Sequence, residues 1–185
     1  MRIFVALLLT VSSIYVFGQS RIGLKTGLNL SNLGGDSKNT DFKLGYNFGL
    51  YGEREINENL FLRPELFFSS QGAKIEDLSY RYSYVNLPVL LKIQIDPNSA
   101  SLYIGPQFGL LFNAVARDNS EKENITAGLN NVDFSGTIGL IAPVNDEFAI
   151  DFRFNHSFSS TSSKISDDDF IPNLVLSISL NYTIK

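Results

Sequence analysis

The residues best equipped for chemistry gather late in the chain. His156 is the only histidine, and it stands in Asn155-His156-Ser157 with Ser159 and Ser160 close behind. A histidine, a serine nucleophile and an acidic residue in mutual reach are the parts of an acyl-cleaving site. A single histidine also excludes any multi-histidine metal centre. Period-two alternation, however, places His156 on the same side as Phe154 and Phe158, where an interfacial residue on an apolar face is the simpler reading. Asp167, Asp168 and Asp169 form an acidic run. A calcium site takes about 6–8 oxygens in defined geometry, so the run reads as a solvated loop. The chain has no Cys, which excludes disulfides and thiolate metal sites. Asn124-Ile125-Thr126 matches a glycosylation acceptor, a three-residue pattern that by itself assigns no function. The sequence therefore assigns no catalytic, cofactor-binding or metal-binding residue, and points away from an enzyme.

A second set of charges is more informative because of where it sits. Lys25, Lys43, Glu53, Arg63, Glu65, Lys92, Asp151 and Arg153 each interrupt a run of alternating residues. Ile22, Leu24, Thr26, Leu28 and Leu30 alternate with Gly23, Lys25, Gly27, Asn29 and Ser31. In a strand the two sets face opposite sides. The same pattern recurs through Phe42–Glu53, Leu60–Gln71 and Val85–Ile95, then near 101–113, 131–142, 147–158 and 173–184. No helical period competes with it. Eight strands result, each longer than the ordinary strand of about 5–6 residues and long enough for the roughly 9–11 that a tilted membrane strand needs. The predicted fold is all-β: an eight-stranded antiparallel up-and-down transmembrane barrel.

The connections alternate as well. Short ones fall at 54–59, 96–100 and 143–147; long ones fall at 32–41, 72–81, 114–130 and 159–172. Outer-membrane barrels have short periplasmic turns and longer outer loops, which puts both termini on the periplasmic side. Alternation alone does not say which face meets lipid, since a soluble ligand-carrying barrel would turn its apolar side inward. Half of the 14 glycines lie on the polar face, where small residues relieve crowding in a narrow lumen. Phe42, Phe68, Phe112, Phe134 and Phe158 lie on the apolar face near the outer strand ends, with Phe148 and Tyr182 near the other end, as an aromatic girdle requires. The apolar face is the lipid face. The charges then line the lumen, where side chains of both signs can pair and fill it. Pro64, Pro88 and Pro106 fall inside strands, each removing a ladder donor, and predict bulges or bends.

The N-terminus reads as an address. Arg2, the apolar run Ile3–Leu9 and Val16-Phe17-Gly18 fit a signal peptide over residues 1–18, with the barrel domain at 19–185. The formal net charge of −4 argues against a nucleic-acid partner.

Several segments resemble the PorT-like outer-membrane β-barrel family. They are Gly27-Leu28-Asn29-Leu30-Ser31-Asn32, Arg63-Pro64-Glu65-Leu66-Phe67-Phe68-Ser69-Ser70-Gln71-Gly72, Tyr84-Val85-Asn86-Leu87-Pro88-Val89-Leu90-Leu91-Lys92 and Gly105-Pro106. The resemblance implies a Gram-negative outer-membrane barrel with little assigned biochemistry; one branch of the family is linked to protein secretion across that membrane. The C-terminal alternation of Ile178, Leu180, Tyr182 and Ile184 resembles the signal read by the barrel-assembly machinery, with Ser179 and Ile184 departing from its usual Gly and aromatic. The expected partners are thus outer-membrane lipid, the assembly machinery during biogenesis and possible secretion-complex proteins, with no cofactor. The expected role is structural or interactive. The alternatives are an accessory subunit of a secretion or assembly complex and a rim-based hydrolase modifying lipid A.

Overall fold

The computed structural model describes residues 20–34, 40–75, 78–96, 99–118, 121–159 and 172–184. The proposed signal segment, Ser160, Asp167–Asp169 and Lys185 lie outside them. Long alternating runs leave no stretch with a helical stripe, and the backbone satisfies its hydrogen bonds between strands instead. These are β1 (Ser20–Leu33), β2 (Thr40–Asn57), β3 (Leu60–Ile75), β4 (Leu78–Ile93), β5 (Ser101–Arg117), a short β6 (Lys122–Asn124), β7 (Val132–Pro143), β8 (Phe148–Ser157) and β9 (Asn173–Ile184). Eight of them pair antiparallel in the ring β1-β2-β3-β4-β5-β7-β8-β9, which β1 closes against β9; β6 hangs on the C-terminal end of β5.

A hydrogen-bonded row can be followed once round the wall. It runs from Leu30 through Leu176, Phe154, Ile138, Ile104, Leu91, Leu62 and Arg54, and returns to β1 at Ser20, ten residues from its start. A stagger of that size on eight strands means a tilt of about 40°, in the range of membrane barrels. Each residue then rises about 2.5 Å along the axis, so roughly ten residues cross an apolar band of about 25 Å.

The face assignment holds strand by strand. Leu24, Leu28, Leu44, Leu50, Ile104, Phe152 and Leu180 point outward and are exposed, while Lys25, Asn29, Asn47, Arg63, Asp151 and Arg153 are buried. Aromatic rings gather at the long-loop end of the lipid face. Phe68 stacks with Tyr46, Phe48 and Phe112; Phe134 packs against Phe108 and Phe158. Phe148 pairs with Tyr182 at the other end.

Three expectations need correction. The segment 72–81 is not a loop: β3 and β4 run through it in register from Gly72↔Arg81 to Ile75↔Leu78. The segment 114–130 is partly strand too, since β5 continues to Arg117 and turns back as β6, followed by a 3-10 turn at Thr126–Gly128. Polar composition there reads as loop, but cross-strand pairing overrides it. The prolines cause no bulge. Register shifts occur near Phe42/Asn47, Glu55/Asn57 and Ser83/Tyr84, while the register on either side of Pro64, Pro88 and Pro106 is continuous. A proline removes a single donor, and the ladder resumes beyond it.

Arg at Leu50 should cost about 2–4 kcal/mol of stability near the bilayer midplane, measured by urea unfolding of the protein refolded in vesicles. Loss of less than that seen at an exposed turn position such as Asn145 would contradict the face assignment.

Candidate functional site

The lumen is the one place where this sequence concentrates chemistry, and it is built in three layers. The layer nearest the short turns is ionic. Lys25 Nζ lies 2.6 Å from an Asp151 oxygen and 3.5 Å from Glu65. Arg63 donates to Glu65 through Nε at 2.9 Å and to Glu53 through Nη1 at 3.1 Å. Lys92 reaches Glu53 at 2.6 Å. Arg153 Nη2 bridges Glu65 at 2.8 Å and Asp151 at 3.2 Å. All seven side chains are buried. Five strands supply them, so the network ties the barrel wall across its interior.

Two tyrosines complete this layer, and two glycines make room for them. The Tyr103 hydroxyl donates to Asp151 and accepts from Arg153 Nε at 2.9 Å. The Arg63 guanidinium sits 3.7 Å from the centre of the Tyr51 ring, a cation–π contact in a desolvated setting. Tyr51 lies directly opposite Gly23, and Tyr103 directly opposite Gly139. A Cβ at either glycine would collide with the facing phenol ring. The glycines are therefore slots in which the rings lie flat across the wall.

Above the ions the lumen is neutral. Asn47 donates to Asn29, and Asn29 donates to Ser69; Ser179 donates to Asn47, and Gln107 and Asn155 both donate to Ser135. The outermost layer is apolar. Leu33, Ala73, Tyr82, Tyr84, Leu111 and Ala114 pack together, covered by Ile125 and Leu129 from the segment after β6. That segment is pinned by Ile125 N–H to Ala114 C=O at 3.0 Å and by Ala114 N–H to Thr126 Oγ1 at 2.7 Å. At the short-turn end a vestibule of about 750 Å³ opens between Arg21, Gln94, Asp146 and Thr183, and ends on Arg63 and Lys92.

Of the eight charges expected in the lumen, seven come together and one does not. Lys43 is turned to Ser79 Oγ and the Tyr80 carbonyl, both at 2.7 Å, because β2 shifts register against β3 just beyond it. Sequence reasoning missed Asp133, which accepts from Ser157 and, at 2.9 Å, from Ser159. Only the alternation of β7 and β8 could have signalled that pairing. His156 takes no part in it. Its ring packs against Phe158 at 5.7 Å on the outward side of β8, while Ser157 is buried inward. A serine and an acid thus meet, but the sole imidazole faces the other way.

An inside-out wall, a polar interior and two aromatic rings at its edges describe a protein that lives in a bilayer. The family profile for the outer membrane protein beta-barrel domain matches residues 17–163. The chain belongs to this family. It is an outer-membrane β-barrel crossing the bilayer with its strands. Among solved structures, Neisserial surface protein A superposes with a TM-score of 0.64 at 9% identity, covering 89% of this chain and 98% of that one. Ail, the attachment invasion locus protein of Yersinia pestis, superposes at 0.55 and 16% identity, covering 90% and 99%. At these identities the likeness is one of fold. No curated protein sequence matches the chain.

Two outcomes follow. Purified, refolded protein in planar bilayers should show no steady ohmic conductance, since all three layers would have to open; stable channels would refute the sealed lumen. Arg63→Met strands Glu53 and Glu65 with fewer partners, so it should destabilise by about 3–5 kcal/mol in urea unfolding. A variant as stable as the parent would mean that the ionic layer is dispensable.

Proposed function

We propose that this protein is a sealed structural and interaction barrel, not an enzyme and not a pore, that presents its long loops to the outside. The observation that carries the reading is the filling of the lumen: ions, amides and an apolar cluster succeed one another along the axis. The ionic layer serves as internal scaffold in place of a hydrophobic core. In this reading residues 1–18 are a signal peptide removed on export, residues 19–185 form the barrel domain, and both termini are periplasmic. The barrel-assembly machinery inserts it, reading the C-terminal alternation ending at Ile184. Outer-membrane lipid is its permanent partner.

A second reading comes from the four segments that resemble the PorT-like family, one branch of which is linked to secretion. In it the barrel is an accessory subunit of a secretion or assembly complex, and the outer loops or the vestibule would contact the partner. Affinity recovery from native membranes separates the two. The first reading expects the barrel alone with lipid; a stoichiometric secretion protein on the same beads would establish the second.

Orientation is open to direct measurement because the chain has no Cys. A cysteine at Asn145 should stay unlabelled by an impermeant maleimide in intact cells, and one at Glu121 should react. The reverse pattern would invert the proposed topology.

A further inference from the structure

The ionic layer does not balance. It sets four cations, Lys25, Arg63, Lys92 and Arg153, against three carboxylates, Glu53, Glu65 and Asp151. All seven are buried. One positive charge is left over where an unmatched charge is costly. On the side nearest the short turns, Arg63 and Lys92 share Glu53. The Glu65 that Arg63 also reaches is shared with Lys25 and Arg153. Arg63 Nη2 is buried and has no hydrogen-bond partner among the described residues. The Tyr51 ring lies against the guanidinium, and its hydroxyl is engaged with Thr183 Oγ1 at 2.8 Å.

A second group is unsatisfied in the same place. Asn181 stands in β9, opposite Lys25 of β1 and Ala149 of β8. It is 1% exposed, and neither its amide nitrogen nor its amide oxygen has a hydrogen-bond partner among the described residues. Ala149 has no polar side chain to offer, and the Lys25 ammonium is turned to Asp151 at 2.6 Å. A buried amide with both ends unpaired is destabilising. Arg63, Lys92 and Asn181 line one cavity, the vestibule of about 750 Å³ at the short-turn end.

The mouth of the vestibule differs from its floor. Arg21 stands there with Asp146 and Glu147 of the β7–β8 turn, and Glu55 lines a side pocket next to Arg21. These carboxylates lie outside the buried layer, Asp146 and Glu55 exposed and Glu147 half-buried, so water screens them from the floor. An acidic mouth over a basic floor suits one negative charge and repels a ligand carrying several.

The chemistry of the floor narrows the ligand further. A guanidinium with an unused nitrogen matches a carboxylate. The Asn181 amide offers donors and an acceptor together, the complement of a peptide group. We propose that the vestibule binds a singly charged carboxylate with an amide beside it, the carboxylate on Arg63 and Lys92 and the amide on Asn181. That is the chemistry of a peptide C-terminus or of a small N-acyl amino acid. The bound carboxylate would supply the negative charge that the ionic layer lacks.

The test uses the full chain refolded in uncharged detergent micelles, which leave both ends of the barrel open whatever its orientation in the cell. N-acetylglycine is titrated against the isotope-labelled protein, and the side-chain resonances of Asn181 and Arg63 Nε are followed by NMR. Both should shift with one saturable affinity. N-acetylglycinamide, which lacks the charge, and acetate, which lacks the amide, should each bind at least about tenfold more weakly. Asn181→Leu removes only unpaired polar atoms, so it should fold and unfold like the parent or be more stable, while weakening N-acetylglycine about tenfold on the Arg63 signal. Lys92→Gln should narrow the gap between the acid and its amide. Should either variant fail to fold, the three probes on the parent decide. N-acetyl-tetraalanine with a free carboxylate separates the sources: tighter binding than N-acetylglycine assigns the site to a peptide end, weaker binding to a small acid. Equal binding of acid and amide, or of acetate and N-acetylglycine, would overturn the proposal. So would the absence of any shift up to about 10 mM probe, which would mean that the ionic layer balances its charge by shedding a proton.

Discussion

The rest of the structure depends on charge neutralisation inside a narrow barrel. An eight-stranded barrel has an interior that side chains just fill. A charge buried there without a partner would cost several kcal/mol. Glu65 and Asp151 answer this constraint by sharing Arg153, Lys25 and, for Glu65, Arg63. The lateral demands are then met by rings. Tyr51 and Tyr103 lie flat in the slots at Gly23 and Gly139, which brings one face of Arg63 against an aromatic surface and gives Asp151 a further donor.

An apolar lumen of equal volume could be as stable, since buried ion pairs roughly break even against packed hydrophobic groups. It would not specify the fold as well. In a barrel whose outer face must be apolar, an apolar inner face would make the two sides interchangeable, and a one-residue slip would exchange them at little cost. With Lys25, Glu65 and Asp151 inside, a slip of β1, β3 or β8 would drive ions into lipid. The ionic layer thus fixes register as well as filling space. Above it lie the amide layer and the apolar cluster.

Much of this was legible in the sequence, for a physical reason. A lipid face and a lumen face differ so strongly in polarity that the period-two signal survives along each strand, from Ile22–Ser31 to Asn173–Ile184. The lumen charges stand out as ions inside apolar runs. What was not legible depended on cross-strand partners. Residues 72–81 hold Gly, Lys, Glu, Asp and Arg and read as loop, yet β3 and β4 pair through them. Lys43 sits at a lumen position by alternation, and the register shift in β2 sends it to Ser79 instead. Pro64, Pro88 and Pro106 suggested bulges because a missing donor is visible in sequence, whereas the ease with which a closed ladder absorbs it is not. Asp133 and Ser157, 24 residues apart, meet only because β7 and β8 are paired.

The layered interior and the uneven wall divide the molecule by role. The membrane-spanning part is a scaffold tied across its interior by the ionic layer, and β2, β3, β4 and β5 continue beyond it on the long-loop side. The central claim is that the ionic layer is a coupled unit, and a double-mutant cycle on Arg153→Met and Glu65→Gln in vesicles tests it most directly. Cooperative pairing predicts that the two changes together cost less than the sum of each alone, with a coupling of about 2–3 kcal/mol. Strict additivity, within about 0.5 kcal/mol, would contradict it.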